Sequence, residues 1–246
     1  MEKDFIFGIR PVMEALEAGK TFDKVFIQNG LLGENIKVLK MKFSQAGIRV
    51  KYVPVEKLNR LTRKNHQGVC AFLSPIQFFT IEDLIPQLFD EGKMPFVLIL
   101  DHLTDVRNFG AICRTAEIVG VDVIVIPDEG SAPVNSDAIK TSAGAIYNLK
   151  ICKEKNLLKV LEYLKLSGIK VVCATEKTDT YLYDEVLKFP LAVILGNEEK
   201  GISRDLLKNS DANLKLPIYG KTESLNVSVA CGAFLYEVIR QNLNSI

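Results

Sequence analysis

The stretch Phe96–Pro127, FVLILDHLTDVRNFGAICRTAEIVGVDVIVIP, decides how the chain is to be read. FVLILD and DVIVIP are unbroken apolar runs. Between them, Ala111, Ile112, Thr115, Ala116 and Ile118–Val119 supply the apolar face of a helix. Apolar strands joined through a helix indicate a parallel sheet, because a parallel crossover needs a helix and strands covered on both faces carry no polar alternation. The same rhythm continues in LKICK, IKVVCAT, LAVILG and ANLKLP, each separated from the next by a longer segment. Residues 95–246 therefore predict a doubly wound α/β domain with a parallel sheet and no internal repeat. In such sheets ligands bind beyond the carboxyl ends of the strands, so the loops after LILD, VCAT, VILG and LKLP are where chemistry is expected.

The front of the chain reads differently. PVMEALEAG, DKVFIQ, residues 34–46, IRVKYVP, VEKLNRL and GVCAFLSP alternate between helical and strand patterns and predict a small separate α/β unit over residues 1–78. Residues 79–94 predict a linker, a connecting helix broken by Pro86 and ended by Gly92. Residues 1–78 carry 13 Lys and Arg against 7 Asp and Glu, a net of +6, whereas the whole chain is only +1. A basic front fits contact with nucleic-acid phosphates and also fits a solvated surface.

Composition narrows the class further. With 48% hydrophobic and 25% charged residues the chain predicts ordered globular domains. FVLIL is too short to cross a bilayer and the start lacks a secretory pattern, so a cytoplasmic protein with no membrane segment is expected. Five scattered cysteines without a CxxC pair predict core thiols rather than a disulfide framework. Two histidines offer no His-rich metal site.

Three loops hold polar groups beyond what a turn requires. After FVLILD come Asn108 and Arg114; six residues apart, they do not share a face of one helix, but Asn108 placed ahead of the helix as a cap or loop residue can converge with Arg114. A plain N-cap and a surface cation are the alternative. After LAVILG comes NEEKGIS, where Gly196 and Gly201 permit close approach to a ligand and Glu198 can accept hydrogen bonds from hydroxyls. A helix start capped by Ser203 is the alternative. After ANLKLP, the segment IYGKTESLNVSVACG places Thr222, Glu223, Ser224, Asn226 and Ser228 at a helix start that one or two capping residues would satisfy.

Taken together, LDHLTDVRNFGAICRTAEIVGVDVIVIP, LAVILGNEEKGIS and LPIYGKTESLNVSVACGAFLYEVIRQ resemble the three motifs of the SpoU/TrmH group of SPOUT RNA 2′-O-ribose methyltransferases. FIFGIRPVMEALEAG and NHQGVCAF are similar to the L30e-like RNA-binding domain that precedes the catalytic domain in the 23S rRNA guanosine-2′-O-methyltransferases of that group. The resemblance implies an N-terminal L30e-like domain, a C-terminal trefoil knot, S-adenosyl-L-methionine as cofactor, RNA as substrate and a homodimer, with AFLYEVIRQ as a candidate interface. It implies no metal. Asn108, Arg114, Glu198, Ser224 and Asn226 carry over as catalytic-site residues, and Gly196, Leu216, Ile218 and Leu225, with Thr175, as cofactor-lining ones. Arg114 is assigned to clamping phosphate and polarising the 2′-hydroxyl, since a guanidinium stays protonated. Arg10, Arg60, Arg63, Lys64 and Asn65 are expected to grip RNA. Two departures stand out: Val106–Arg107 where the family often has Pro, and Glu199 where it often has Gly. A tRNA ribose methyltransferase and a non-catalytic RNA-binding or ribosome-assembly factor are the rival readings. A dinucleotide-dependent dehydrogenase is disfavoured because no GxGxxG follows FVLILD.

Overall fold

The computed structural model describes residues 5–222 and 224–243. Glu223, one of the polar loop residues noted above, lies outside them. The chain forms two compact units that divide at Gln77/Phe78.

The first unit has a four-stranded mixed sheet in the order β1-β4-β2-β3, from β1 (Phe5–Phe7), β2 (Phe22–Gln28), β3 (Val50–Val53) and β4 (Val69–Leu73). β4 is antiparallel to both β1 and β2, while β2 and β3 are parallel. Helices α1 (Ile9–Glu17), α2 (Glu34–Gln45) and α3 (Val55–Leu61) complete it. Val12 of α1 and Ile36, Leu39 and Phe43 of α2 pack with Val25, Ile27, Val69 and Ala71 of the sheet into one core. Leu58 of α3 packs with Phe26, Val53 and Cys70 in another.

The second unit is a seven-stranded, wholly parallel sheet in the order β11-β9-β10-β6-β7-β8-β5. Its strands are β5 (Phe78–Phe79), β6 (Phe96–Leu100), β7 (Val123–Pro127), β8 (Lys150–Glu154), β9 (Lys170–Ala174), β10 (Leu191–Leu195) and β11 (Ala212–Leu214). β6, β7 and β10 are buried along their whole length, as their unbroken apolar sequences require. From β6 the chain runs through β7 to β8 on one side, then returns to build β9, β10 and β11 on the other. The crevice beyond β6 and β10 is therefore the switch point of the sheet.

The linker expectation is corrected. Phe78–Phe79 pairs with β8, and α4 (Ile81–Asp90) buries Ile81, Leu84, Ile85 and Leu88 in the core of the second unit. Pro86 does not break this helix. It lies on the exposed side, where the Glu82 carbonyl that loses its donor faces water, and the buried stripe holds the turns together. Gly92, at φ +74, does end it, with its N–H on the Phe89 carbonyl and that of Lys93 on Leu88.

The C-terminal segment is tied back onto the connection between β9 and β10. Lys215 N–H donates to the Thr180 carbonyl and Leu182 N–H to that of Lys215. At the far end of α9 (Val227–Asn242), Gln241 accepts from Leu187 N–H and donates to the Glu185 carbonyl, and buried Asn242 donates to that of Leu187. Burial pushes the Cys70 and Cys173 thiols up to about 11 and those of Cys113, Cys152 and Cys231 higher still, which marks all five as core groups rather than nucleophiles.

Candidate active site

Three segments far apart in sequence meet beyond the carboxyl ends of β6 and β10. The first is the start of α5 (Val106–Ile118), capped by Asp105, whose carboxylate accepts from the Asn108 N–H at 2.8 Å. Asn108 thus sits inside the first turn and is not itself the cap, which corrects the expectation that it precedes the helix. Its side chain is left free to reach outward. The second is a hairpin from Asn197 to Gly201, closed by Asn197 N–H on the Gly201 carbonyl and Gly201 N–H on the Asn197 carbonyl, at 3.1 and 2.8 Å. The third is Asn226, the N-cap of α9, whose Oδ1 accepts from Ser228 N–H at 3.0 Å and from its hydroxyl at 2.6 Å.

Glu198 Oε1 joins them. It accepts from Asn108 Nδ2 and, at 3.3 Å, from Asn226 Nδ2, while Asn226 Nδ2 also lies 3.1 Å from Asn108 Oδ1. Two amides and one carboxylate form a closed polar node, with each side chain orienting the next. Glu198 Oε2 has no hydrogen-bond partner among the described residues and is available to one from outside.

A cavity of about 290 Å³ opens beside the node. Thr175, Gly196, Leu216, Ile218 and Leu225, the five residues expected to line a cofactor, all line it, together with Glu198 and Ser224. Gly201, expected to allow close approach to a ligand, lines it as well, and Ala174, Glu176, Lys177, Leu195, Asn197, Glu199, Lys215, Val227, Ala230 and Phe234 line it without having been anticipated. Several of these could have been found from the strand ends alone, because Ala174 and Leu195 end β9 and β10, and Lys215 follows β11. Thr175 is 7% exposed; its N–H pairs with the Leu214 carbonyl and its hydroxyl accepts from Lys177 N–H, which pins the floor of the cavity. Gly196 serves a tighter purpose than ligand approach. A Cβ there would lie 2.3 Å from the Gly201 carbonyl carbon and 2.4 Å from Ile202 N, so the hairpin closes only on a glycine.

Arg114 is not at the node. Six residues along α5 from Asn108 it points about 120° away. It is exposed, with no hydrogen bond or ion pair among the described residues. Ser203 stands at the N-cap of α8 (Arg204–Asn209) without capping it through its hydroxyl.

The two departures from the family pattern are conformationally mild. Glu199 is not among the residues with a left-handed backbone, so it needs no glycine. Val106 is the first residue of α5, a position where proline is pre-organised and its missing N–H costs nothing, and Asp105 before it is extended at φ −76, ψ 120, as proline requires of its predecessor. Val106→Pro is expected to stabilise the protein by about 0.4–1 kcal/mol, seen as a raised Tm with unchanged cofactor affinity.

In the first unit, Gln67 Oε1 accepts from Ile9 N–H at 3.1 Å, which brings Arg10 beside the loop that holds Arg63, Lys64 and Asn65. Arg60 closes the last turn of α3. Asn65 is occupied by the loop itself, its Oδ1 accepting from Gln67 N–H at 3.3 Å. His66, 8% exposed, shapes the same loop: its Nδ1 accepts from Gly68 N–H at 3.0 Å, so Nε2 carries the proton and donates to Asn59 Oδ1 at 3.0 Å.

A doubly wound parallel sheet whose switch point holds both a small-molecule cavity and a closed polar node defines an α/β enzyme. The family model for the SpoU rRNA methylases matches residues 95–236, and the model for the substrate-binding domain of RNA 2′-O ribose methyltransferases matches residues 5–79. A Staphylococcus haemolyticus protein and a Bacillus subtilis protein, both named for the TrmH family of tRNA/rRNA methyltransferases, are each 34% identical over 241 residues; these cover 98% of this chain and 97% and 96% of theirs. The SpoU methyltransferase AviRb of Streptomyces viridochromogenes, solved with AdoMet, has the same fold at 20% identity and a TM-score of 0.62, over 98% of this chain and 90% of that one. The chain belongs to the SpoU/TrmH family, the S-adenosylmethionine-dependent RNA 2′-O-ribose methyltransferases.

Proposed function

We propose that this enzyme methylates the ribose of a guanosine in 23S rRNA, as a homodimer in the cytoplasm. The observation that carries the catalytic reading is the node, in which Glu198 Oε1 is held by Asn108 and Asn226 at the mouth of the cavity. The rRNA reading is supported by the substrate-binding unit at residues 5–79 and its basic loops. A tRNA substrate is the second reading, favoured by the shared tRNA/rRNA naming of the relatives. The ties between residues 180–189 and the C-terminal segment support the threaded topology that the resemblance implies.

The cavity fits the cofactor. Leu195, Leu216, Ile218 and Leu225 offer apolar cover for a nucleoside, Gly196 keeps one wall at backbone height, and the polar node lies on one side. When bound, S-adenosylmethionine supplies an electrophilic methyl on a sulfonium. The chain's own residues do the rest. Glu198 Oε2, the unoccupied oxygen, accepts the hydrogen bond of the ribose 2′-hydroxyl and so aims its oxygen. Asn108 and Asn226 keep that carboxylate in one orientation, which shifts the entropy cost of alignment from the reaction to the fold. Asn226 also caps α9, and with Ser224 it fixes the third segment along the cavity. Arg114, exposed and unpaired among the described residues, is assigned to an RNA phosphate.

The test is transfer of tritiated methyl groups from S-adenosylmethionine to 23S rRNA, 16S rRNA and tRNA isolated from a strain lacking the gene, with Arg114→Ala alongside. Label confined to a ribose 2′-oxygen of 23S rRNA is the expected result. Label in tRNA alone would replace rRNA by the second reading, and full turnover by folded Arg114→Ala would remove that residue's role. Replacing Arg60, Arg63 and Lys64 together by Ala is expected to weaken RNA binding about uniformly across sequences and to lower the slope of log K against log salt by roughly 2–3, since each phosphate contact contributes about 0.7–0.9. An unchanged slope would put the RNA on another face.

A further inference from the structure

Of the two carboxylates that the fold buries among the described residues, Glu237 is bonded to Arg240 and Gln241 on its own helix, whereas Asp101 ties distant segments together. Asp101 is 1% exposed and stands where β6 ends. Its Oδ2 accepts from Ser203 N–H at 2.6 Å, its Oδ1 lies 2.5 Å from His102 Nδ1, and its own N–H donates to the Leu195 carbonyl at 2.8 Å. His102 has a left-handed backbone, φ +55, and its carbonyl accepts from Asn197 Nδ2 at 3.0 Å. The Asn197–Gly201 hairpin is thereby gripped on both sides, at Asn197 and just past its end at Ser203. Glu198 lies between the two grips.

Burying a carboxylate is costly unless charge-assisted hydrogen bonds compensate. A fold that needed only to join two strand ends would do so with apolar residues at no such cost. We propose that Asp101 is a positioning residue for methyl transfer: it sets the hairpin so that Glu198 meets Asn108 and Asn226. This rests on the catalytic reading of the node.

Ser203 offers a second probe from the other side of the contact. Its φ of −57 suits proline, so Ser203→Pro deletes the N–H that Asp101 receives, and the ring Cδ that replaces the hydrogen crowds the carboxylate oxygen 2.6 Å from that nitrogen. The full-length protein and its Asp101→Ala, Asp101→Asn and Ser203→Pro variants would be compared for kcat and KM in tritium transfer to rRNA, for thermal unfolding, and for amide hydrogen exchange across residues 197–203. Asp101→Ala is expected to lose roughly 30-fold or more in kcat, in line with the cost of an ångström-scale misplacement. Asp101→Asn should stay within about 3-fold, because its amide oxygen still accepts from Ser203 and the imidazole can change tautomer to accept from its amide nitrogen. Ser203→Pro should lose at least as much as Asp101→Ala, because it removes the N–H and also crowds the carboxylate. Exchange should accelerate in the hairpin while the sheet stays protected. In a Glu198→Ala background the loss from Asp101→Ala should shrink to under about 2-fold, because the residue acts through Glu198.

A folded Asp101→Ala with kcat within 2-fold of the parent, or losses that simply multiply in the double variant, would overturn the proposal. Should Asp101→Ala not fold, unchanged turnover and exchange in Ser203→Pro would overturn it instead. An inactive parent would count against the catalytic reading, and the exchange arm would then still show whether Asp101 holds the hairpin.

Discussion

Asn108→Asp is expected to lower kcat by about 100–1,000-fold while leaving the fold and the cavity intact. The substitution is isosteric, but it exchanges the Nδ2 that donates to Glu198 Oε1 for an oxygen. A stabilising contact becomes two carboxylate oxygens facing one another, and Asn226 Nδ2 alone remains to hold Glu198. The cap is untouched, because Asp105 accepts from the backbone N–H of residue 108 and not from its side chain. Losing a preorganised polar contact of this kind typically costs about 100–1,000-fold in rate. Thermal unfolding, cofactor affinity by calorimetry and single-turnover methyl transfer would separate the effects. A variant that bound cofactor normally and turned over within 5-fold of the parent would show that the node is architectural.

Gly196→Ala is the second large effect, and it should strike binding and stability together. The three nearest atoms to an added Cβ are the Gly201 carbonyl carbon, Ile202 N and the Gly201 carbonyl oxygen, all within 2.5 Å and all backbone. No rotamer change relieves such a clash, so the hairpin must open. Opening breaks the Asn197–Gly201 pair of hydrogen bonds and moves Asn197, Glu198 and Glu199, which line the cavity. A loss of about 3 kcal/mol in stability and at least roughly 100-fold in cofactor affinity is expected, from overpacking together with the lost wall. Gly201→Ala makes an informative companion. Its nearest new contact is only the Lys177 ammonium at 3.5 Å, so its cost comes from the left-handed backbone at φ +71 rather than from a clash. Equal behaviour of the two variants would show that crowding at Gly196 is not what closes the hairpin.

Much of this molecule was open to reading from local pattern. β6, β7 and β10 stand where unbroken apolar runs placed them, because a strand buried on both faces admits nothing else, and β8 and β9 stand where the same rhythm of short apolar segments placed them. Asn226 caps its helix as its residue type suggests. The readings that failed were those in which one residue was weighed without its surroundings. Pro86 is a helix breaker by propensity, but one unpaired carbonyl on the wet side costs less than unburying Ile81, Leu84, Ile85 and Leu88. Asn108 is a fair N-cap by type, yet Asp105 three residues earlier takes the role, and that moves Asn108 into the helix with its amide free for Glu198. Phe78–Phe79 is too short to announce itself as a strand and becomes one by pairing with β8.

The sequence by itself determined most of the elements and the chemical types available at each strand end, since these follow from helical and strand periodicity and from the residue types themselves. Only the tertiary structure decided which of those groups meet. Asn108 and Glu198 are 90 residues apart and Asn108 and Asn226 are 118, and their contacts exist because β10 inserts beside β6 and carries its hairpin to the start of α5. The grip of Asp101 on Ser203, across 102 residues, and the crowding that reserves position 196 for glycine have the same origin. Strand order and register arise from packing the whole sheet at once, and no local pattern encodes them.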